Sequence, residues 1–462
     1  MYIFLLVVTT VKGATMPTLS QLIEISDSAE PIPSYVTEDE KYLYAVLNFG
    51  GNPNNQGRIV KIDLTQSPPS LTALLTHSRL AMWQQVYLKE KNKLYAFGEL
   101  DDENGTQRAG VAIADLSNDT AQIVYHPNTG DCNEFIGVAY DEKTKQFIVG
   151  ERKGGGVTTG SNYPNGGGLW TIPLEDILNP SAWNRVHEFS PLPNESVNPS
   201  VFKIAIVGDQ VFVILKGDSI ARLVKASISD LTTWETIEDL DIATGIEKWG
   251  KRIAYVSKDP NTGNAVLKYS DDGGATWNTI DLGASPSTLS DLAMPVIMPI
   301  LYGKYAIVVA QHSQGAKVLL VDIDGGSVSQ IDTMTNPYCP HNVGTQRNDK
   351  VFIGNSASQS PGYIYQLSFD TRYVIAIALS KTNPAPGETI TITATLKDAN
   401  GNPVSDAEIE FYVITAKVDD RHYGDLIGTA KTDANGNASV QYTIPSTLKQ
   451  GDVVVFRAVY KG

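Results

Sequence analysis

The sequence predicts an all-β protein that consists of a seven-bladed β-propeller followed by a small C-terminal β-sandwich. Three observations predict this fold class. A pair of β-rich runs recurs at intervals of about 42 to 65 residues, the length of a four-stranded blade. No stretch with helical periodicity interrupts these runs. After Val374, Thr and Ile alternate across residues 389–393, and Asn-Gly turns separate further β-rich runs.

The composition fits short strands joined by turns. Of the 462 residues, 42% are hydrophobic and only 19% are charged, while Gly (39), Pro (24) and Tyr (21) are abundant. A chain of this length can bury two or three separate cores. Its net charge of −15 would repel a phosphate backbone, so the sequence predicts no nucleic-acid partner.

The chain begins with an apolar run, residues 1–11, which we interpret as part of an export leader covering residues 1–14. The run is too short to span a bilayer, which needs about 20 apolar residues. No Lys or Arg precedes it, as one would in a typical signal peptide, so an ordinary first strand is the alternative. No later segment is apolar enough to anchor the chain. The sequence therefore predicts an extracellular protein without a membrane span.

The predicted propeller covers residues 20–370, where each repeat has two recognisable strands. The first run ends in a small residue and occurs at residues 42–47, 94–98, 146–150, 211–215, 252–256, 305–310 and 351–354. The second run follows a polar loop and occurs at residues 58–63, 110–115, 168–172, 221–225, 265–269, 317–322 and 363–367. Seven such pairs predict seven blades, and six blades with one irregular insertion are the alternative.

The last repeat ends near Asp370, before its fourth strand. At the other end of the propeller, residues 21–26 form a β-rich run that belongs to no complete repeat. We expect this run to pair into the seventh blade, because a closed ring leaves no sheet edge open.

One turn carries a specific motif, which lies between the β-rich run 265–269 and the run that begins at Trp277. It resembles the Asp-box of sialidase-like propellers, in which Asp and hydroxyl side chains fix a hairpin and Trp packs between sheets. The matching residues are Ser270, Asp272, Gly274, Thr276 and Trp277. A degenerate copy covers residues 227–234. The resemblance implies a structural role for this turn and no catalytic one.

Residues 372–462 carry the second resemblance. The segments 385–396, 398–404 and 433–437 are similar to the intimin/invasin-type bacterial Ig-like domain, which occurs in surface adhesins and in virion proteins. This resemblance implies a β-sandwich that spaces or docks other parts and performs no chemistry. The two Asp-Ala-Asn-Gly-Asn segments lack the bidentate Glu of a calcium loop, so we expect turns and no metal site there. No cofactor is predicted.

The propeller lacks the usual signs of a catalytic centre. A sialidase needs a triad of arginines, and several of the few arginines lie within strands. Hydrolysis of another glycan needs two carboxylates about 5–10 Å apart. Asp131, Glu134 and Glu151 are the only acids that we expect near the centre. We therefore predict a protein that is not an enzyme, with a polysaccharide-active glycosidase as an alternative.

Long loops suggest where a ligand would bind. The segments 48–57, 99–108 and 151–167 are rich in Asn and Gly and lie on the same predicted face. Long loops in a compact domain are more often functional than accidental. We predict a ligand site among Trp83, Glu134, Glu151, Arg152, Tyr163 and His341.

The two cysteines, Cys132 and Cys339, precede the innermost strands of blades three and seven. Those blades would lie nearly opposite each other, whereas a disulfide needs Cα atoms within about 7 Å. We predict that both cysteines are unpaired, and a bridge across the channel mouth is the alternative. His341 lies two residues from Cys339, but no metal-binding spacing accompanies the pair.

Together these features predict a non-enzymatic protein of a cell surface, in which the propeller binds a surface glycan or protein and the Ig-like domain mounts it. The alternative is a structural protein of a virion surface, such as a spike, turret or decoration protein, that attaches to a host. In that case the Ig-like domain would dock onto a larger surface or capsid assembly.

Overall fold

The computed structural model describes residues 3–7, 17–26, 30–48, 56–126, 134–152, 167–241, 243–290, 296–302, 304–337, 344–347, 349–356, 361–369, 373–398, 401–414, 425–446 and 453–460. The prediction of an all-β chain is confirmed, since these residues form strands with only one helical turn, α1 (Pro286–Leu289), and one 3-10 turn (Pro180–Ala182). None of the described helical segments has the length and apolar character needed to cross a membrane.

The strands are numbered in chain order. They are β1 (Ile3–Val7), β2 (Thr18–Ile25), β3 (Glu30–Val36), β4 (Tyr42–Asn48), β5 (Gln56–Asp63), β6 (Ser70–Ser78), β7 (Ala81–Leu88), β8 (Lys93–Asp101), β9 (Gln107–Asp115), β10 (Thr120–Tyr125), β11 (Phe135–Asp141), β12 (Gln146–Glu151), β13 (Gly168–Pro173), β14 (Asn184–Glu188), β15 (Ser200–Val207), β16 (Gln210–Lys216), β17 (Ala221–Ser227), β18 (Asp230–Leu240), β19 (Ala243–Thr244), β20 (Ile246–Trp249), β21 (Arg252–Lys258), β22 (Ala265–Ser270), β23 (Asn278–Asp281), β24 (Val296–Tyr302), β25 (Tyr305–Ala310), β26 (Lys317–Asp322), β27 (Ser327–Thr333), β28 (Gly344–Arg347), β29 (Lys350–Asn355), β30 (Gly362–Ser368), β31 (Tyr373–Leu379), β32 (Thr389–Asp398), β33 (Glu408–Ile414), β34 (Asp425–Lys431), β35 (Asn437–Thr443) and β36 (Val453–Tyr460).

The chain divides into two compact units. One contains residues 19–345 and 352–366, and the other contains residues 1–18, 346–351 and 367–462. In the first unit the strands form consecutive four-stranded sheets: sheet 1 (β3–β6), sheet 2 (β7–β10), sheet 3 (β11–β14), sheet 4 (β15–β18) and sheet 5 (β20–β23). Sheet 6 contains β24–β27 and the short parallel strand β19. Sheet 7 has the order β2-β30-β29-β28, and its residues 19–25, 344–345, 352–355 and 362–366 belong to the first unit.

Burial explains why the sequence pattern appears as paired runs. The second strand of a sheet is covered on both faces, so β4 and β8 are almost continuously apolar and buried. The fourth strand is half exposed, and β6 and β18 therefore mix polar and apolar residues. Only the buried strands give a strong signal in the sequence.

Each of the seven sheets packs against the next. Shared apolar clusters join sheet 1 to sheet 2, sheet 3 to sheet 4, and sheet 7 to sheet 1. Aromatic contacts join the others, with ring centroids at 6.3 Å for Phe97–Phe135 (sheets 2 and 3), 6.4 Å for Phe212–Trp277 (sheets 4 and 5) and 5.9 Å for Trp249–Tyr302 (sheets 5 and 6). A Cβ on Gly344 of sheet 7 would lie 3.3 Å from Ile300 of sheet 6. Together with the apolar cluster between sheets 7 and 1, these contacts link the sheets in succession from sheet 1 through sheet 7 and back to sheet 1.

Sheets 4 and 5 also share a polar contact. Glu238 of β18 accepts hydrogen bonds from the Tyr255 hydroxyl at 2.6 Å and the Ser257 hydroxyl at 2.8 Å, both in β21. The ammonium group of Lys268 in β22 lies 2.8 Å from both carboxylate oxygens. A carboxylate that is held by three donors fixes the spacing of the two sheets.

Residues 21–25 of the run predicted at residues 21–26 belong to β2, which lies beside β30 in sheet 7. The hydroxyl of Ser20 donates to the backbone carbonyl of Gln366 at 3.4 Å. Ile25 is 3% exposed and packs in the cluster shared by sheets 7 and 1. Strand β2 therefore completes the sheet that contains the last repeat.

The second unit contains two sheets, with strand orders β1-β36-β33-β34 and β31-β32-β35. The Thr/Ile alternation arises because Ile390 and Ile392 face a core shared by both sheets, whereas the hydroxyls of Thr389 and Thr393 pair with neighbours on β35. Ile3–Val7, within the predicted leader, pairs in parallel with β36. Cleavage of residues 1–14 stays a prediction, and the predicted domain boundary at residues 370–372 lies outside the described residues.

Candidate functional site

In sheets 1 to 3 the first strand begins, and the second strand ends, at the same end of the sheet. We call this row of strand ends the loop edge, and it is defined by the start of β3, β7 and β11 and by the end of β4, β8 and β12. The long sequence segments that follow β4 and β12 leave from it. Residues 49–55 and 153–166 within them lie outside the described residues.

The first strands of sheets 1 to 4 each contain a β-bulge, which lies close to the start of the strand in sheets 2, 3 and 4 and nearer the other end of the strand in sheet 1. The register shifts leave one extra residue in each strand, namely Ser34, Trp83, Ile136 and Phe202. A bulge redirects the side chain of the extra residue and is common beside binding sites. Gly98 opposite the second bulge is required by close packing, since a Cβ there would lie 2.0 Å from the carbonyl oxygen of Ala81. Trp83 is half-buried at its bulge.

An ion pair lies at the loop edge of sheet 3. One terminal guanidinium nitrogen of Arg152, Nη1, donates to both carboxylate oxygens of Glu134 at 3.0 and 2.8 Å. The side chain of Glu134 is 6% exposed, whereas that of Arg152 is 34% exposed. The backbone N–H of Arg152 also donates to the carbonyl of Glu134 at 3.1 Å. Arg152 therefore presents a partly exposed side chain whose charge is balanced by a buried carboxylate.

Two further glutamates belong to the same group. Glu99 at the end of β8 accepts a hydrogen bond from the side-chain amide of Gln107. Glu30 at the start of β3 accepts one from Asn48 at 3.4 Å, and Asn48 in turn accepts the backbone N–H of Met82 at 2.8 Å. Sheets 1 and 2 are thereby tied together directly beside the bulge that carries Trp83. We call Glu30, Glu99, Glu134 and Arg152 the carboxyl–arginine cluster.

The cluster shifts the ionisation of its members. Burial raises the pKa of Glu99 to about 8, and the nearby Glu134 carboxylate adds to the rise. Burial also raises the pKa of Glu30 and of Glu134, whereas Arg152 lowers both, and Trp83 lowers that of Glu134 by hydrogen bonding. Glu99 is therefore largely protonated at pH 7, because a carboxyl with a pKa near 8 keeps its proton there.

Glu151 has a different environment from its neighbour Arg152. It is 2% exposed, and its carboxylate accepts the backbone N–H of Gly168 at 2.7 Å and the guanidinium of Arg185 at 3.0 Å. These contacts hold the end of β12 against β13. We therefore assign Glu151 a structural role at the base of the segment 153–166.

The predicted site residues thus fall into three groups. Trp83, Glu134 and Arg152 come together at the loop edge, and Glu151 lies beside them with a structural role. Tyr163, His341, Asp131, Cys132 and Cys339 lie outside the described residues. In the part of the chain that the structure describes, no group of His, Cys, Asp and Glu side chains could hold a metal ion.

Sequence reasoning missed Glu30 and Glu99. A signal for Glu99 was present in the sequence. It directly follows the run 94–98, which is the first recognisable run of its repeat. Asn48, Glu151 and Asn355 occupy the same position in three other repeats. Polar residues at one recurrent strand end would have indicated a common edge. Glu30 gives no such signal, since it precedes the first recognisable run of its repeat.

The Asp-box-like turn between β22 and β23 contains a dense hydrogen-bond network. Asp272 accepts the Ser270 hydroxyl at 2.7 Å, the backbone N–H groups of Ala275 and Thr276 at 3.0 and 2.9 Å, and the Thr276 hydroxyl at 2.6 Å. These donors hold the pKa of Asp272 well below its usual range. These four donors all lie within the turn, which fits a structural role.

No family model matches the sequence, and no curated protein matches it significantly. Solved structures that are similar include an oligogalacturonate lyase from Vibrio parahaemolyticus (11% identity, 79% of this chain and 96% of that chain, TM-score 0.48). The β-propeller domain of the Trilobed protease from Pyrococcus furiosus aligns at 11% identity over 77% of this chain and 94% of that domain (TM-score 0.43). A prolyl endopeptidase aligns at 11% identity over 81% of this chain but only 55% of its own length (TM-score 0.46). The likeness concerns a propeller-like fold alone.

Proposed function

We propose that this is a non-enzymatic protein of a cell or virion surface, in which a seven-bladed propeller binds a glycan or protein at the loop edge. The intimin/invasin-type Ig-like sandwich, residues 372–462, would attach the protein to a larger surface assembly. The packing of sheets 1 to 7 in succession, with β2 completing the last sheet, supports seven blades in a closed ring. The two-sheet core of the second unit supports the Ig-like assignment.

The observation that carries the binding site is the half-exposed Arg152 backed by buried Glu134, next to the bulged Trp83. Buried polar groups with perturbed pKa values that converge at one edge of a scaffold are characteristic of ligand sites. The aromatic ring and the guanidinium offer packing area and directional donors together. These are the side-chain types that dominate recognition surfaces.

We expect Trp83→Leu to weaken ligand retention about tenfold, since it removes the aromatic anchor of the site. Purified protein would be screened on a glycan array and on cell surfaces. Trp234→Leu is the matched control, because Trp234 is also half-buried but lies in the fourth strand of sheet 4. Equal retention by the Trp83→Leu variant and the wild type would remove the site from this proposal.

A second candidate function is acid–base cleavage of a glycan. It is favoured by one observation, the Glu99 carboxyl with its raised pKa beside the Glu134 carboxylate that pairs with Arg152, because two carboxyl groups in different environments perform such chemistry. The same array eluates would be analysed for shortened products. Product release that Glu99→Gln and Glu134→Gln both abolish, with retention unchanged, would establish an enzyme in place of a binding protein.

A further inference from the structure

We infer that the ligand of the loop edge is an uncharged, polyhydroxylated compound, a neutral oligosaccharide, and that the carboxyl–arginine cluster disfavours charged ligands. This inference rests on the proposed binding function and specifies its ligand class. It follows from how the charged groups at the edge are already paired.

An anionic ligand is disfavoured by the arrangement around Arg152. Its Nη1 atom already contacts both oxygens of Glu134, and the charge of the guanidinium is balanced from the buried side. Glu30 and Glu99 lie close enough to interact electrostatically with Arg152. A carboxylate, sulfate or phosphate would face three carboxyl groups and one guanidinium group whose charge is already balanced by Glu134.

A cationic ligand is disfavoured because each carboxyl has its own donor within the protein. Glu134 is held by Arg152, Glu99 by Gln107 and Glu30 by Asn48. A new ammonium or guanidinium group would have to displace one of these donors. The protonation of Glu99 at neutral pH reduces the attraction further.

An uncharged polyol can use the hydrogen-bonding groups and the aromatic surface of the loop edge. The accessible part of Arg152 can donate hydrogen bonds without contributing net charge, since Glu134 neutralises it. Protonated Glu99 adds a hydrogen-bond donor to the cluster. The half-buried indole of Trp83 can pack against the apolar C–H face of a sugar ring. Hydroxyl groups, which both donate and accept, suit this mixture of donors and acceptors.

The test is a glycan array that contains neutral, uronate- or sialate-bearing and amino-sugar oligosaccharides, followed by calorimetric titration of the compound that is retained best. We expect neutral compounds to bind at least tenfold more tightly than charged analogues. Their affinity should change less than twofold between about 0.05 and 0.5 M salt, because no net charge is paired. Preference for a charged class, or a strong loss with salt, would overturn the ligand class but leave the binding site intact.

The pH profile gives a second readout. Glu99 faces Glu134, Arg152, Arg79 and Gln107, and it loses its proton as the pH rises through about 8. Affinity for the neutral compound should therefore be constant from pH 6 to 7 and decline above pH 8. Glu99→Gln, which stays neutral at every pH, should remove the decline. A decline of equal size in this variant would show that deprotonation of Glu99 does not cause the loss of affinity.

The outcomes separate this inference from the proposed function. Retention on cells but on no glycan, lost in Trp83→Leu, would indicate a protein ligand and would refute only the ligand class. Retention that Trp83→Leu leaves unchanged would refute both.

Discussion

Replacing Arg152 by Leu should lower the free energy of unfolding by about 3–5 kcal/mol. The substitution leaves the Glu134 carboxylate 6% exposed without its counter-charge, and an unpaired buried charge carries a penalty of this size. The pH dependence has a defined sign. Loss of Arg152 raises the folded-state pKa of Glu134 further above its unfolded value, so the penalty is absent below about pH 4 and grows as the pH rises through the interval between the two pKa values.

Urea unfolding at several pH values would measure this effect. Arg222→Leu is the matched control, because its partner Asp239 is 57% exposed and such a pair contributes at most about 1 kcal/mol. The double variant Arg152→Leu/Glu134→Leu should recover most of the loss, since it removes both charges together. If Arg152→Leu were no more destabilising than Arg222→Leu, the ion pair would not be buried as described.

The second large effect is expected at the turn between β22 and β23. Gly274 has φ +88°, and a Cβ there would lie 2.4 Å from the ring of Phe212 in sheet 4. Gly274→Ala combines backbone strain with a clash against a buried ring, so we expect a loss of about 2–4 kcal/mol in the free energy of unfolding. Phe212 is 0% exposed and cannot move aside easily.

Gly273 provides a control in the same turn. Its φ is +77°, but the nearest atom to a Cβ, in Val207, is 3.5 Å away. Gly273→Ala therefore reports the backbone strain alone, about 1 kcal/mol. Equal losses in the two variants, measured by the same denaturation curves, would show that Phe212 does not press against the turn.

Several features could be predicted from the sequence because they depend on burial or on local hydrogen bonding. The runs at residues 94–98 and 146–150 lie within the buried strands β8 and β12, which are apolar on both faces and cannot be mistaken for exposed segments. The Asp-box-like turn is local, since Ser270, Asp272 and Thr276 supply both partners of each bond. The run at residues 21–26 was identified by elimination, as the one strand without a repeat.

The site was only partly predictable, because it depends on register. Trp83 reaches the loop edge through a bulge, and one extra residue in a strand leaves no mark in the apolar pattern. Glu134 and Glu151 looked equivalent in the sequence, yet one pairs with Arg152 and the other with Arg185. Glu30 joins the cluster from a strand more than one hundred residues earlier, and only the packing of sheets 1 to 3 brings it there.

Oxidative footprinting of individual tryptophans tests the ligand site most directly. Trp83, Trp234 and Trp277 are all half-buried, and mass spectrometry can follow their oxidation separately in the presence of the glycan or partner retained best by the wild type. Bound ligand should protect Trp83 severalfold and leave the other two tryptophans unchanged. Oxidation of Trp83 that saturating ligand does not alter, or protection of Trp234 instead, would mean that recognition occurs on some other surface.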